Sequence, residues 1–224
     1  MCGRYALYGP ISRLHEQFDA RIDELPPDFG PRYNAAPLQV LPVVRQRTNG
    51  ERVVHLLRWG MVPSWSKDDS IAAKLINARE ETLAEKPSFR AAYKARRCII
   101  PACGFFEWKA GEHGKQPLYI HPADGGLFGF AGLWERWAPA DGVTIDTFTV
   151  ITAAANDAIR PLHDRMPVIL APQEYSTWLA RATEPERLDN IISAPPVIPV
   201  ALIPVSKAVG KVKNDSPDLI LPVE

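Results

Sequence analysis

The sequence predicts an α+β fold with a predominantly antiparallel, barrel-like β-sheet flanked by short helices. From residue 97 onward, apolar runs of strand length follow one another, separated by the turn-rich stretches GEHGK and ADGG. Helical periodicity is confined to a few short segments, so helices do not alternate with strands as they do in parallel α/β folds. A chain of 224 residues also fits one hydrophobic core, and we expect residues 1–224 to form a single domain.

The first element predicted is an amphipathic helix that Ser12 caps. Its apolar residues recur at helical spacing and are Leu14, Phe18, Ile22 and Leu25. The pair Pro26-Pro27 is expected to end it.

The next elements are two strands, at 38–44 and 52–60, joined by RQRTNG, in which Asn49-Gly50 is a strong hairpin signal. Pro87 suits the first turn of a helix and divides the helical pattern after residue 75 in two. Five further strands are predicted at RCIIP, CGFFEWK, QPLYIH, LFGFAGLW and DTFTVITAAA. A helix near 173–182 and a last strand in IPVALIPVS complete the prediction.

Charge and cysteine content exclude several classes of protein. Lys+Arg and Asp+Glu both number 26, so no global field favours nucleic acid or membrane, and any basic surface must be local. Three cysteines do not make a disulfide framework, and neither a metal-ligand cluster nor a phosphate-binding glycine loop is present, so no metal or cofactor is expected. Without a leader or an apolar run of membrane-spanning length, we expect a cytoplasmic protein.

Cys2 would carry a free α-amine and a thiol together once Met1 is removed. An N-terminal amine has a pKa near 7.7 to 8.0, so a useful fraction is neutral and can condense with an aldehyde to give an imine. The adjacent thiol can then close a five-membered thiazolidine. The alternative is that Cys2 is simply a small residue that permits methionine excision.

Glu107 and His163 are candidates for proton transfer. Glu107 lies in the strand-like run GFFEWK, where flanking aromatic residues would desolvate it and raise its pKa. The alternative is a strand residue that faces solvent. His163, in PLHDRMP, has a pKa near neutrality, or is an ordinary loop histidine.

Other residues near these candidates suit contacts with phosphate or with an unpaired base. Four arginines lie beside candidate groups and suit phosphate, or form salt bridges with neighbours such as Asp164, Glu80 or Glu81: Arg4, Arg32, Arg79 and Arg165. Trp65 could stack on an unpaired base, or pack beneath its own loop. Asn34 and Asn77 either orient a substrate or serve as turn and cap residues.

In this order, the segments MCGRY, RYNAAP, WGMVPSW, LINARE, GFFEWK, HDRMP and VSKAVGKVKN closely resemble the SOS-response-associated peptidase (SRAP) family. The resemblance runs from Met1 to Lys213 or beyond. It implies an abasic-site sensor that forms a covalent crosslink with single-stranded DNA, including junctions with duplex, and that acts as a monomer away from membranes. Attendant activities would be removal of Met1, by the protein itself or by an aminopeptidase, and lyase-type Schiff-base chemistry.

The resemblance also implies a role for each site residue. Cys2 would form the thiazolidine with the ring-opened sugar, Glu107 would be general acid and base, Asn34 would hold the cysteine and sugar, and His163 would stabilise the opened sugar. The residues implied to contact DNA or line the same site are Arg4, Trp65, Asn77, Arg79 and Arg165.

The sequence departs from the family pattern at three places. Ser64 and Ser66 flank Trp65 where relatives often have paired aromatics, Pro87 falls where a basic residue can lie, and Met166 replaces an arginine of some relatives. Two other functions stay open: a thiol peptidase or amidohydrolase that uses Cys2, and a non-covalent single-strand binder.

Overall fold

A computed structural model describes residues 2–111, 114–139 and 142–223. Within these ranges the strands are β1 Tyr5–Leu7, β2 Ala20–Arg21, β3 Arg32–Ala35, β4 Val40–Gln46, β5 Arg52–Trp59, β6 Asn77–Arg79, β7 Arg97–Ala102, β8 Gly104–Lys109, β9 Gln116–Pro122, β10 Phe128–Trp137, β11 Ile145–Ala154, β12 Arg165–Pro167 and β13 Val200–Pro204. The α-helices are α1 Ser12–Phe18, α2 Arg90–Ala95, α3 Tyr175–Leu179 and α4 Pro185–Ser193. Short 3₁₀ turns lie at Ala72–Lys74, Glu80–Thr82, Pro172–Glu174, Lys207–Gly210 and Pro217–Ile220.

Five strands close into a barrel in the order β11, β10, β7, β4 and β5. The neighbours along this path are antiparallel, and the ring closes where β5 pairs parallel with β11 at Arg58 and Thr147. Closure removes the unpaired edges that an open sheet would expose. The predicted α+β class with a barrel-like sheet is confirmed.

A second, five-stranded antiparallel sheet lies beside the barrel in the order β13, β9, β8, β1 and β3. Its core side chains pack against those of the barrel: the ring of Tyr5 from β1 lies 5.3 Å from that of Trp59, and Phe105 from β8 lies 5.9 Å from Phe130. Burying rings of this size contributes about 2 to 3 kcal/mol each. The two sheets therefore share one apolar core.

Strand order in the second sheet determines where the N-terminus lies. β1 is flanked by β8 and β3, so Tyr5 pairs with Phe105 on one side and with Ala35 on the other. Cys2, three residues before Tyr5, therefore leads into a strand whose neighbours carry Glu107 and Asn34. Only Cys103 separates β7 from β8, so the chain passes directly from the barrel into this sheet.

Several boundaries differ from the sequence prediction. The first helix ends at Phe18 rather than at Pro26, because Asp19 takes a left-handed conformation (φ 48°) and Ala20–Arg21 forms strand β2 along β5. Ile11, not Ser12, is the N-cap, and no side chain caps the helix. Ser88 and Phe89 separate Pro87 from the start of α2 at Arg90, so Pro87 does not lie in the first turn of this helix.

The remaining predictions are largely confirmed. β4 and β5 form the expected hairpin, whose turn uses Gly50 at φ +89°. The helix near 173–182 is a 3₁₀ turn followed by the short α3, and α4 was not predicted. Among the helices of the described residues, none is long and apolar enough to cross a membrane.

Candidate active site

Cys2 lies at the centre of the site and its side chain is fully buried. Its carbonyl oxygen accepts a hydrogen bond of 2.9 Å from the Asn77 side-chain amide. Burial, and next the nearby Glu107 carboxylate, raise the pKa of the Cys2 thiol well above its usual value. The thiol is therefore neutral at physiological pH, which does not suit a reaction that begins with a thiolate.

Glu107 projects from β8 and is 4% exposed, so the alternative of a solvent-facing strand residue is wrong. Burial raises the pKa of its carboxyl group to about 7. Both protonation states are then populated near neutrality, which is what a group that first accepts and later donates a proton requires.

Asn77, on β6, and Asn34, on β3, have different partners. Besides its bond to Cys2, Asn77 has a buried Oδ1 that no group of the described residues bonds. The Asn34 amide nitrogen donates to the carbonyl oxygens of Val209, Lys211 and Asn214, and its oxygen accepts from Arg4 at 2.8 Å. Asn77 is the asparagine that holds Cys2, whereas the side chain of Asn34 holds the C-terminal loop.

The C-terminal loop, residues 206–215, is tied to β1 and β3. Arg4 donates to the carbonyls of Val209 (2.7 Å) and Gly210 (3.3 Å), and Asp215 Oδ1 accepts from the backbone amides of Tyr33 and Asn34. Arg4, two residues from Cys2, therefore connects β1 to Asn34 and to the C-terminal loop. We call this set of contacts the C-terminal clamp.

His163 lies in the loop before β12, with 32% of its side chain exposed. Its Nδ1 accepts from the backbone amide of Arg165 at 2.9 Å and lies 2.8 Å from Asp164 Oδ1. The carboxylate would favour the charged ring, but burial dominates and lowers the pKa of His163. We assign the neutral ring with the proton on Nε2, because Nδ1 accepts the backbone bond.

The other candidate arginines differ in what they contact. Arg165 donates both guanidinium nitrogens to the Glu81 carboxylate, so the salt-bridge alternative applies to it. Arg79, at the end of β6, is exposed and makes no ion pair with any described residue. Arg32 stacks over the Phe29 ring at 5.5 Å. The charge of the exposed Arg79 is therefore available to a ligand.

Trp65 is 60% exposed, so it does not pack beneath its own loop. Trp137 holds the loop, because its indole nitrogen donates a hydrogen bond of 2.8 Å to the Ser66 carbonyl. An exposed indole on a supported loop can stack on a base without refolding.

Two residues of the site were not predicted from the sequence. Asp215 has no distinguishing signal other than its place after VSKAVGKVKN. Tyr5 has a fully buried hydroxyl with no partner among the described residues, and burial and Cys2 raise its pKa. Within the described ranges, no group of three or more His, Cys, Asp or Glu residues could hold a metal ion.

The fold and the site define a class: proteins in which a barrel and a second sheet hold an N-terminal cysteine beside a buried carboxyl group. The model of the SOS response associated peptidase (SRAP) family matches residues 1–212, and the chain belongs to this family. It is 40% identical to the abasic site processing protein YoqW of Bacillus subtilis over 98% of this chain and 99% of that one. The corresponding values for YedK of Escherichia coli, also named an abasic site processing protein, are 34%, 100% and 100%.

Two solved structures share the fold. A crystal structure of a protein from Bacteroides thetaiotaomicron is 24% identical and superposes with a TM-score of 0.90 over the whole of both chains. One from Bordetella bronchiseptica is 27% identical, with a TM-score of 0.78 over 92% of this chain and 100% of that one.

Proposed function

We propose that this protein processes abasic sites in DNA and that it does so by a covalent crosslink at Cys2. The observation that carries the proposal is the convergence of Cys2, Asn77 and Glu107 in a chain whose relatives are named abasic site processing proteins. The substrate is single-stranded DNA, including junctions with duplex. The whole chain acts as one domain and one monomer, in the cytoplasm and on the nucleoid when bound to DNA.

The reaction starts once hydrolysis of the Met1–Cys2 peptide bond gives Cys2 the free amine. Glu107 takes a proton from the anomeric hydroxyl of the abasic sugar and returns it to the ring oxygen as the C1′–O4′ bond breaks, so the sugar opens to an aldehyde. The neutral amine attacks the aldehyde carbon, and loss of one water gives an imine. The thiol sulfur then adds to that carbon while its proton passes to nitrogen, closing the thiazolidine.

The neighbouring groups have supporting roles in this proposal. Asn77 fixes the Cys2 carbonyl and offers its Oδ1 to the substrate, and His163 donates Nε2–H to the opened sugar. Arg79 contacts a phosphate, Glu81 holds Arg165 in place beside it, and Trp65 stacks beside the lesion. Asn34 and Arg4 act indirectly through the C-terminal clamp.

A thiol peptidase acting on external substrates is the less favoured function. Such an enzyme needs a thiolate, and burial and Glu107 both keep the Cys2 proton in place. In the crosslinking route the amine attacks first and the thiol adds as a neutral group, so the raised pKa is compatible with it.

The test is crosslinking to an oligonucleotide with one abasic site, followed by denaturing gels and intact mass. We expect an adduct at the summed mass less one water for the protein without Met1. Cys2→Ala should give none, whereas Cys103→Ala, which removes another buried thiol, should react like the parent. Undiminished adduct with Cys2→Ala would refute the mechanism, and peptide turnover without any adduct would support the peptidase.

A further inference from the structure

Three adjoining cavities form a continuous surface depression beside the β4–β5 hairpin, away from Cys2. Their volumes are about 420, 590 and 570 Å³. The first and second share Arg47 and Trp134 in their linings, and the second and third share Ala95 and Arg181. We call the first two cavities together the hairpin channel.

The hairpin channel is strongly basic although the chain as a whole is neutral. Six arginines and no acidic residue line it: Arg45, Arg47, Arg96, Arg97, Arg136 and Arg181. Three carboxylates that are not among the lining residues pair with four of these arginines, because Asp146 serves both Arg45 and Arg136. An excess of positive charge therefore remains along the channel.

Part of this charge is available to a ligand. Arg136 has 63% and Arg47 41% of its side chain exposed despite their ion pairs. Arg181, at the junction with the third cavity, is exposed and makes no ion pair with any residue that the structure describes. Arg97, by contrast, is buried and donates to four backbone carbonyls, so it contributes charge but no contact.

Acidic residues line the cavity that lies between the third cavity and Arg165. A fourth cavity of about 340 Å³ adjoins the third at Tyr93 and Asp189, and Glu80, Glu81 and Glu85 line it. Glu81 is also the partner of Arg165 beside the site. A polyanion would be repelled along this path, so the channel would hold a segment distinct from the one at Cys2.

We propose that the hairpin channel binds the phosphodiester backbone of an undamaged single-stranded DNA segment while Cys2 holds the damaged nucleotide. Guanidinium groups match phosphate oxygens in a two-point geometry, and the channel floor includes the Trp134 ring, over which Arg45 lies at 4.3 Å. A basic groove with an aromatic floor and polar walls is typical of sequence-independent strand binding. The choice of DNA as the polyanion rests on the proposed function.

The test compares the affinity for undamaged oligothymidylates of about 6 and about 30 nucleotides by fluorescence anisotropy over a salt series. Arg47→Glu combined with Arg181→Glu should weaken binding of the long strand roughly tenfold and reduce the salt slope by about 1.4, which corresponds to two lost phosphate contacts. Binding of the short strand and crosslinking to a short abasic oligonucleotide should stay at the parent level.

The control is Lys115→Glu combined with Arg187→Glu, which changes the net charge equally at exposed positions outside the channel. Arg187, like Arg47, gives up one ion pair. An equal loss of affinity for the long strand in this control would overturn the inference. Displacement of the DNA by poly-glutamate at equal charge would also overturn it. If the variant with both charges reversed unfolds, Arg47→Gln combined with Arg181→Gln should show the same reduction of the salt slope. Failure of the proposed function is separate, because it would appear as a parent protein that gives no adduct with the short abasic strand.

Discussion

The acidity of Glu107 couples the chemistry of the site to the stability of the fold. Burial raises its pKa from 4.5 to about 7, so the folded chain binds this proton more tightly than the unfolded chain does. The stabilisation is complete below pH 4.5 and is lost as the pH rises to about 7. At higher pH the folded chain contains a buried carboxylate.

Glu107→Gln should therefore raise the free energy of unfolding at pH 8 by up to about 3 kcal/mol, with little change at pH 4. Crosslinking should slow by about 10² or more, because an amide cannot take the sugar proton. Urea unfolding at the two pH values measures the first effect and gel kinetics the second. The exposed Glu51→Gln should change neither, and equal stability of Glu107→Gln and the parent at pH 8 would contradict the raised pKa.

For single residues, the sequence predicted which side chains are reactive better than it predicted their hydrogen-bond partners. Cys2 and Glu107 were found because a terminal aminothiol and an aromatic-flanked carboxylate have distinctive chemistry. Asn34 and Asn77 are alike in sequence, and only the strand order shows that Asn77 contacts Cys2 while Asn34 contacts residues 209–214. Contacts over 175 or more positions cannot be predicted from local pattern.

Among the elements, the C-terminal clamp gives Asn34 a structural role that can be separated from a catalytic one. Asn34→Ala removes bonds to three carbonyls and to Arg4, so the unfolding free energy should fall by about 2 to 4 kcal/mol. Asp215→Ala, which releases two backbone amides at the same junction, should have a smaller effect in the same direction. Thermal unfolding and the crosslinking rate of the folded fraction are the measurements. Slow crosslinking with unchanged stability in Asn34→Ala would instead favour direct contact with the sugar.

The turn between β3 and β4 contains a strained residue. Leu38 has φ +70° with its side chain half exposed, and its amide donates to the Trp59 carbonyl at 2.8 Å. Asparagine adopts this left-handed conformation more readily, so Leu38→Asn should raise the unfolding free energy by about 1 kcal/mol. Val40→Asn, at an equally exposed extended position, should lower it slightly. A decrease in both variants, measured by urea unfolding, would show that the Leu38 side chain itself stabilises the turn.

The ends of the helices were harder to predict from the sequence than the strands were. The strands after residue 97 have long apolar runs and clear turn signals, and β7 to β11 lie where expected. The first helix keeps its periodicity past Phe18, yet Ala20–Arg21 instead hydrogen-bonds along β5. A pairing with residues 52 and 53 is tertiary, and it overrides the local preference.

For the whole molecule, a net charge of zero means that any affinity for DNA depends on placed groups rather than on a general field. Trp65 is one of these groups and carries no charge, so its stacking on a base should not depend on salt. Trp65→Ala should weaken binding of abasic single-stranded DNA by about 1 to 3 kcal/mol, with the salt slope and the melting temperature unchanged. The comparison uses Cys2→Ala as the background, so that equilibrium binding is measured without crosslinking. Trp65→Phe should retain most of the affinity. A changed salt slope or a lower melting temperature in Trp65→Ala would show that the indole stabilises its loop and does not stack on the DNA.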